Sequence, residues 1–219
     1  TTLSAIINEI NETRRMHIIT IEDPIEFVHP PKKSLITQRE VGPHARGFTE
    51  ALKAAVREDP DLVLVGEMRD LDTIALALSA ASSGLLVFGT LHTNSAAKTM
   101  DRIINVFPQE EQEAVRSVLA ETIQGVLAQQ LLKKVGGGRV AAVEIMFGGG
   151  ALPNLIREGK THQVGSFIAM GKRQGMINMD TALLGLMRDG KITEEAAYEK
   201  ASDKAELKKH RASEVEDED

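Results

Sequence analysis

The segment from Val56 to Asp70, VREDPDLVLVGEMRD, constrains the fold more than any other part of the chain. It reads as a helix end, an Asp-Pro break, a run dominated by Leu and Val, and a polar group that begins at Gly66. Such an apolar run between polar breaks is typical of a strand buried on both faces. Glu67 then stands at the exposed carboxyl end of that strand, where nucleotide-binding α/β proteins place a carboxylate that meets a metal-bound phosphate.

The residues before position 93 alternate between helical and strand-like patterns. Helical spacing of apolar residues predicts a helix at the start of the chain and further helices at 48–58 and 71–82. Apolar runs predict strands at 17–22, 61–67 and 85–92, and the more polar segment 34–41 is interpreted as a further strand. Continuous apolar strands that alternate with helices predict an α/β fold with a mostly parallel sheet and helices on both of its faces.

The pattern changes after the last of these strands. Residues 95–135 are predicted to be helical with a break near Pro108, and 139–147 to form one more strand. Three glycines at 148–150 mark a shift in composition, and they are followed by short predicted helices at 152–158, 164–170, 180–189 and 194–201. We therefore expect a core at 1–150, a small all-helical subdomain at 151–201, and a charged, solvated, disordered tail at 202–219.

Composition excludes several classes of protein. The formal net charge is −6 and aromatic residues make up 3% of the chain, which argues against nucleic-acid binding through a basic surface or stacking aromatics. No apolar run approaches the roughly 20 residues that a membrane-spanning helix needs. The chain has no cysteine, which excludes disulfides and thiolate zinc sites. These features predict a cytoplasmic protein.

Three predicted strand ends carry polar groups: Glu22-Asp23-Pro24-Ile25-Glu26, Gly66-Glu67 and Thr90-Leu91-His92-Thr93. Because the carboxyl ends of parallel strands share one edge of a sheet, these groups can meet at one phosphate. In phosphoryl transfer, Glu67 suits a magnesium ion, and Glu26 or Glu22 suits activation of water. His92 and Thr93 are then candidates to bond the γ-phosphate. No G-x-x-x-x-G-K-S/T segment occurs in the 219 residues, and Gly136-Gly137-Gly138 is interpreted as a helix stop and turn.

These segments, in this order and spacing, resemble the secretion-ATPase superfamily that powers type II secretion and type IV pili. TIEDPIEFVH is similar to the acidic box of that family, GEMRD to its Walker B segment, and GTLHT to its His box. The resemblance implies a RecA-like core that uses ATP and Mg²⁺. It also implies that Glu26 activates water, that Glu67 orders magnesium through water, and that His92 senses the γ-phosphate.

The same resemblance places the first residues of the chain beside the phosphates. Thr1-Thr2-Leu3 matches the residues that follow the Lys and Ser of the family's phosphate loop, so we expect the sequence to begin just after that loop. The implied nucleotide-binding residues are Thr1, Thr2, Glu22, Asp23, Gly66 and Thr93. Without the loop, we expect these 219 residues alone to bind ATP poorly and to hydrolyse it slowly.

Within the superfamily, the chain resembles the retraction branch, the PilT-type motors, since the other branches usually carry a tetra-cysteine zinc motif. ALPNLIREGK resembles their AIRNLIRE motif, which couples hydrolysis to pilus withdrawal. The coupling residues are then Asn154, Leu155, Ile156, Arg157 and Glu158. Pro153 stands where the motif has Arg, and a proline fits the first turn of a helix.

The resemblance implies a cytoplasmic ring of six copies that acts on an inner-membrane pilus platform protein at the inner face of the membrane. The main alternative is a non-catalytic or accessory paralogue that assembles with a complete motor, and the departure at Pro153 favours it. A related type II secretion or pilus-assembly ATPase is a further alternative. A DNA-translocating RecA-like ATPase shares the layout but fits the acidic composition poorly.

Overall fold

A computed structural model describes residues 1–204, so most of the predicted tail at 202–219 lies outside the described part. The helices are α1 (Thr2–Thr13), α2 (Phe48–Ala55), α3 (Leu71–Ser82), α4 (Ala96–Asn105), α5 (Gln112–Thr122), α6 (Leu152–Arg157), α7 (Val164–Met170), α8 (Met179–Arg188) and α9 (Glu194–Lys200). The strands are β1 (His17–Glu22), β2 (Leu35–Glu40), β3 (Leu62–Val65), β4 (Leu86–Gly89), β5 (Gly125–Lys133) and β6 (Arg139–Phe147). Short 3-10 helices occur at Thr161–Gln163 and Gly171–Gln174.

The chain divides into two compact units. The first comprises 1–92 and 105–122, and the second comprises 93–104 together with the chain from Ile123 onward. The predicted domain boundary at 150/151 stays a prediction. None of the helices within residues 1–204 combines the length and the hydropathy that crossing a bilayer requires.

The first unit is built on a parallel sheet in the order β2-β1-β3-β4. All four residues of β3 are buried, as the apolar run predicts. Ile7 of α1 packs in a buried cluster with residues from one face of the sheet, among them Ile18 and Leu62. Because side chains alternate along a strand, Val63 and Val65 point to the other face, where α2 and α3 pack. The predicted α/β fold with a parallel sheet and helices on both faces is confirmed.

The second unit contains an antiparallel hairpin instead of more parallel sheet. β5 pairs with β6 along its whole length, from Gly125 opposite Phe147 to Lys133 opposite Arg139. The prediction of helix through residue 135 was therefore wrong after Thr122. The segment GVLAQQLLK is rich in residues that favour helices, but pairing with β6 and burial of alternate residues such as Ala128 and Leu132 override that preference.

Glycines form the two turns that bound β6. Gly136, Gly137 and Gly138 all have positive φ and close the hairpin, so the predicted turn is confirmed, although a strand precedes it rather than a helix. After β6, a Cβ on Gly148 would stand 2.2 Å from the carbonyl oxygen of Ile123. The glycine run at 148–150 is therefore a tightly packed turn.

The helices predicted beyond residue 150 all form. In this unit α8 packs on β6 and α9 on β5. Their shared buried core consists of Leu132, Ala142, Met179, Leu183, Leu184, Ile192, Ala197 and Ala201. Helices α8 and α9 therefore form their hydrophobic core against the β5–β6 hairpin.

Glu144 of β6 is a buried carboxylate in this unit, with 7% of its surface exposed. Its Oε1 accepts a hydrogen bond from the backbone N–H of Ala96 at 2.7 Å, and its Oε2 accepts one from Met179 at 3.1 Å. Ala96 and Met179 are the first residues of α4 and α8, whose free N–H groups need acceptors. One side chain thus caps two helices.

Candidate active site at the carboxyl edge of the parallel sheet

The carboxyl ends of β1 and β3 meet closely at Gly66. The backbone N–H of Gly66 donates to the carbonyl oxygen of Ile21 at 2.7 Å. A Cβ at Gly66 would lie 2.9 Å from that oxygen and 3.3 Å from the Cα of Glu22. Only glycine fits this approach without displacing backbone, so Gly66 sets the spacing between the two acidic strand ends.

Glu67 lies between two cationic or potentially cationic side chains. Its Oε1 accepts a hydrogen bond from His92 Nε2 at 3.0 Å and also contacts Arg69 Nε. The Glu67 side chain is 18% exposed, whereas those of Arg69 and His92 are 75% and 74% exposed. A half-buried carboxylate therefore lies at the rim of the sheet with two exposed partners beside it.

Charge at this rim favours an ionised Glu67. The hydrogen bond from Arg69 is the largest cause of a lowered Glu67 pKa, and the charges of Arg69 and His92 act in the same direction. The Arg69 pKa is raised in return, chiefly by Glu67 and to a smaller extent by Asp23. The negative charge of Asp23 therefore acts on Arg69, the ion-pair partner of Glu67.

His92 reaches Glu67 from a backbone conformation that is uncommon outside glycine. Its φ is +49°, in the left-handed region, where histidine occurs more often than most residues. The end of β4 is tied to the end of β3, since Met68 N–H donates to the Thr90 carbonyl at 3.1 Å and the Thr90 hydroxyl donates to the Gly66 carbonyl. Two strand ends therefore position the Glu67–His92 pair.

The other acidic strand end has neutral partners. Glu22 Oε1 accepts from the Thr20 hydroxyl at 2.6 Å and from Gln38 Nε2 at 3.1 Å. Glu26 lies further along the β1–β2 loop, and its side chain is exposed. No hydrogen bond or ion pair within residues 1–204 joins Glu26 to Glu67 or His92.

Thr2 is the first residue of α1 and Thr1 precedes it, and the contacts at the other end of the helix indicate which way its start points. Asn11, near the end of α1, is bonded to residues 30–34, which lead into the amino end of β2. The start of α1 therefore points the opposite way, towards the carboxyl ends of the strands.

Thr93 belongs to the second unit, where its hydroxyl lies 2.6 Å from that of Thr99.

The residues that fit a divalent ion are few. Within the described chain, His, Asp and Glu side chains form no cluster of three or more that could hold a metal ion. Mg²⁺ in phosphoryl-transfer proteins is usually held by one or two carboxylates, with phosphates and waters completing its octahedron. A single carboxylate at the rim, such as Glu67, fits this way of binding Mg²⁺, which does not require a cage of several protein ligands.

Sequence reasoning missed Gln38 and Glu40, which bond to the loop that carries Glu26. The sequence did show that Gln38 and Glu40 are two residues apart in LITQRE, so both lie on one face of the strand that pairs with the apolar β1. This pattern was indistinguishable from the ordinary polarity of an edge strand.

Comparison with known proteins gives the family. The sequence profile described as "Type II/IV secretion system protein" matches residues 1–166. The chain belongs to the type II/IV secretion system protein family.

Relatives within the type II/IV secretion family are close. The chain is 59% identical over 201 residues to the type IV pilus retractation ATPase PilT of Pseudomonas aeruginosa, covering 92% of this chain and 58% of that protein. It is 57% identical over 202 residues to a twitching motility protein of Neisseria gonorrhoeae, covering 92% of this chain and 54% of the relative. Against the crystal structure of the pilus retraction motor PilT with bound ADP, the TM-score is 0.88 at 50% identity, with coverage of 95% and 59%. The chain thus spans a little over half the length of these relatives.

The segment that resembles the coupling motif of this family forms α6. Pro153 occupies its first turn, as predicted, and the helix forms. Leu152 and Ile156 are fully buried, while Asn154, Arg157 and Glu158 are exposed and Leu155 is half-buried. This helix therefore keeps an apolar anchor and a polar outer surface.

Proposed function

We propose that this chain is the ATP-hydrolysing part of a type IV pilus retraction motor. The observation that carries the proposal is the Glu67–His92 contact at the carboxyl edge of a parallel sheet, in segments that match the Walker B and His boxes. The relatives named as a pilus retractation ATPase and as a twitching motility protein support the direction of the motor.

The proposed role of each residue comes from the family segment that it matches, and the contacts of Glu67 and His92 support two of these roles. Glu67 binds a magnesium ion through water, because it is ionised and open at the rim. His92 Nε2 moves from Glu67 to a γ-phosphate oxygen and so reports its presence. Glu26 accepts a proton from the attacking water. Glu22, Asp23, Gly66, Thr93, Thr1 and Thr2 line the nucleotide, and bound Mg²⁺–ATP supplies the phosphoryl group whose transfer drives motion.

The ring and its position are part of the same proposal. Six copies assemble with ATP between neighbours in the cytoplasm, at the inner face of the membrane, and act on the pilus platform protein there. The exposed residues of α6, Asn154, Arg157 and Glu158 with half-buried Leu155, pass the motion on, while Ile156 anchors the helix.

The 219 residues hold no phosphate-loop segment, so we expect them to hydrolyse ATP slowly on their own. Steady-state turnover of this chain, compared with the product of the complete reading frame, tests that expectation. Fast magnesium-dependent hydrolysis by the 219 residues would contradict it.

Retraction itself is tested in a type IV piliated strain that lacks its own motor. The complete protein is expected to restore twitching, and its Glu67→Gln variant is expected to fail. Asp72→Asn is the matched control, because it removes an exposed carboxylate at the start of α3. Restoration by Glu67→Gln would refute the role of Glu67. Restoration only beside a complete second motor would indicate an accessory subunit instead.

A further inference from the structure

The connection between β1 and β2 is unusual for neighbouring parallel strands. Such strands need a crossover connection, which is ordinarily a helix that satisfies its own backbone groups. Here residues 23–34 make the crossing without a helix, and Glu26 lies within them. Their backbone N–H and C=O groups must therefore find partners elsewhere.

Two side chains of β2 supply partners on either side of Glu26. Glu40 Oε2 accepts from the backbone N–H of Ile25 at 2.9 Å. The Gln38 amide donates to the Phe27 carbonyl at 2.8 Å and accepts from the His29 N–H at 2.8 Å. The residues immediately before and after Glu26 are thus both fixed to β2.

The returning half of the loop is fixed to α1. The buried Asn11 donates from Nδ2 to the Pro30 carbonyl at 2.8 Å. Its Oδ1 accepts from the N–H groups of Lys32 at 3.2 Å and Ser34 at 3.3 Å. This holds the far end of the loop, so the segment around Glu26 depends on the β2 contacts for its own position.

Strand β2 also carries an ion pair on its other face. Arg39, between the two loop-binding residues, points to the opposite face by strand alternation. Both of its contacts to Glu58 are 2.7 Å long, to Oε1 and Oε2. Gln38 also donates to Glu22 at 3.1 Å, which joins the loop to the end of β1.

Apolar burial does not hold this stretch of loop. Val28 is 83% exposed, and Phe27 is also largely open to solvent. With little apolar area removed from water, the hydrogen bonds that Ile25, Phe27 and His29 make with Glu40 and Gln38 are the main stabilising contacts next to Glu26 within the described residues.

We propose that Gln38 and Glu40 are positioning residues that hold the backbone on both sides of Glu26, so that its exposed carboxylate is presented in one place at the carboxyl edge. The proposal rests on the assigned role of Glu26 in the proposed function. Positioning matters for such a group because a misplacement of about 1 Å can cost about 100-fold in rate.

The first test is amide hydrogen exchange on the 219-residue chain, which needs no nucleotide. Gln38→Leu is expected to speed exchange at His29, and Glu40→Leu at Ile25, each about tenfold or more, with amides of β1 and β3 unchanged. Glu40→Gln keeps an acceptor oxygen and is expected to restore protection at Ile25. Gln109→Leu is the control, because its exposed side chain makes no hydrogen bond within the described residues. Unchanged exchange at Ile25 and His29 would overturn the proposal.

The second test is turnover of the complete protein. Glu40→Leu is expected to lower kcat about tenfold or more and to leave KM for ATP within about twofold, since Glu40 anchors the residue next to the proposed base. Gln38→Leu is expected to lower kcat by a similar factor and to raise KM as well, because Gln38 also donates to Glu22, which lines the nucleotide. Glu40→Gln is expected to restore kcat. Faster loop exchange with unchanged kcat would overturn the positioning role. Full turnover by Glu26→Gln would instead refute the proposed base, and the exchange data would still report on the loop anchors.

Discussion

Glu67 follows strand β3 in the first unit, whereas Glu144 lies within strand β6 in the second. The two carboxylates have different kinds of hydrogen-bond partner. Glu144 is buried and accepts from two backbone N–H groups that begin two helices. Glu67 lies at a rim and is bonded to Arg69 and His92, both of which are largely exposed. Backbone donors are fixed by the fold, whereas exposed side chains are free to exchange partners.

That difference separates a structural acid from an acid suited to a transient ligand. Removing the Glu144 carboxylate leaves two buried N–H donors without their acceptor, which costs stability. Losing an exposed ion pair costs little, because water replaces it. We therefore expect Glu144 substitutions to act on folding and Glu67 substitutions to act on chemistry.

Glu144→Leu carries the largest expected loss of stability. Two buried N–H groups lose their acceptor, at about 1–3 kcal/mol each, so the free energy of unfolding is expected to fall by about 2–6 kcal/mol. Urea denaturation measures it. Glu144→Gln retains one acceptor oxygen and should lose about half as much. A loss of less than about 0.5 kcal/mol for Glu144→Leu would show that Glu144 is no more important for stability than Glu67.

Asp70 provides an intermediate case, an exposed carboxylate that caps one helix. Its Oδ1 accepts from the Thr73 N–H at 2.8 Å, and its Oδ2 accepts from the Thr73 hydroxyl at 2.9 Å. Asp70→Ala is expected to lower stability by about 1 kcal/mol, and Asp70→Asn by much less. Thermal unfolding of the three proteins ranks them, and equal stability of Asp70→Ala and the parent would be the contrary result.

Glu67→Gln is expected to change the unfolding free energy by no more than about 0.5 kcal/mol, because its cationic partners are exposed. Scanning calorimetry beside Asp72→Asn gives the comparison. A loss of 2 kcal/mol or more for Glu67→Gln, as for a buried group, would place Glu67 among the structural acids.

His29 tests whether burial governs charge at the β1–β2 loop, with the smallest expected effect. Burial is the main cause that lowers its pKa below the ordinary 6.5, Lys32 adds to it, and Glu22 opposes it. Since the folded chain favours the neutral ring, stability is expected to decline as pH falls below about 6.5 and to level off below the lowered folded pKa. An NMR titration showing His29 at or above 6.5 would contradict this.

The parts of the fold that repeat a simple pattern were predictable. β1 and α3 form with the predicted bounds, because an apolar run between polar breaks and an Asp cap before an Ala- and Leu-rich segment are local signals. β5 was not predictable, because its strand form depends on pairing with β6 and not on its own residues.

The candidate site divides in the same way. Glu67 and His92 each follow an apolar strand, and parallel pairing of β3 with β4 brings them into contact. The roles of Gln38, Glu40 and Glu144 depend on hydrogen bonds to backbone groups that are far away in sequence. No spacing in the sequence indicates those bonds.

The role of Glu67 in catalysis is best measured by ATP hydrolysis of the complete protein carrying Glu67→Gln, beside Asp72→Asn and with ring size determined for both. Glu67→Gln is expected to lose about 100-fold or more in kcat while the ring stays intact, and Asp72→Asn is expected to turn over like the parent. Turnover of Glu67→Gln at the parent rate would contradict that role.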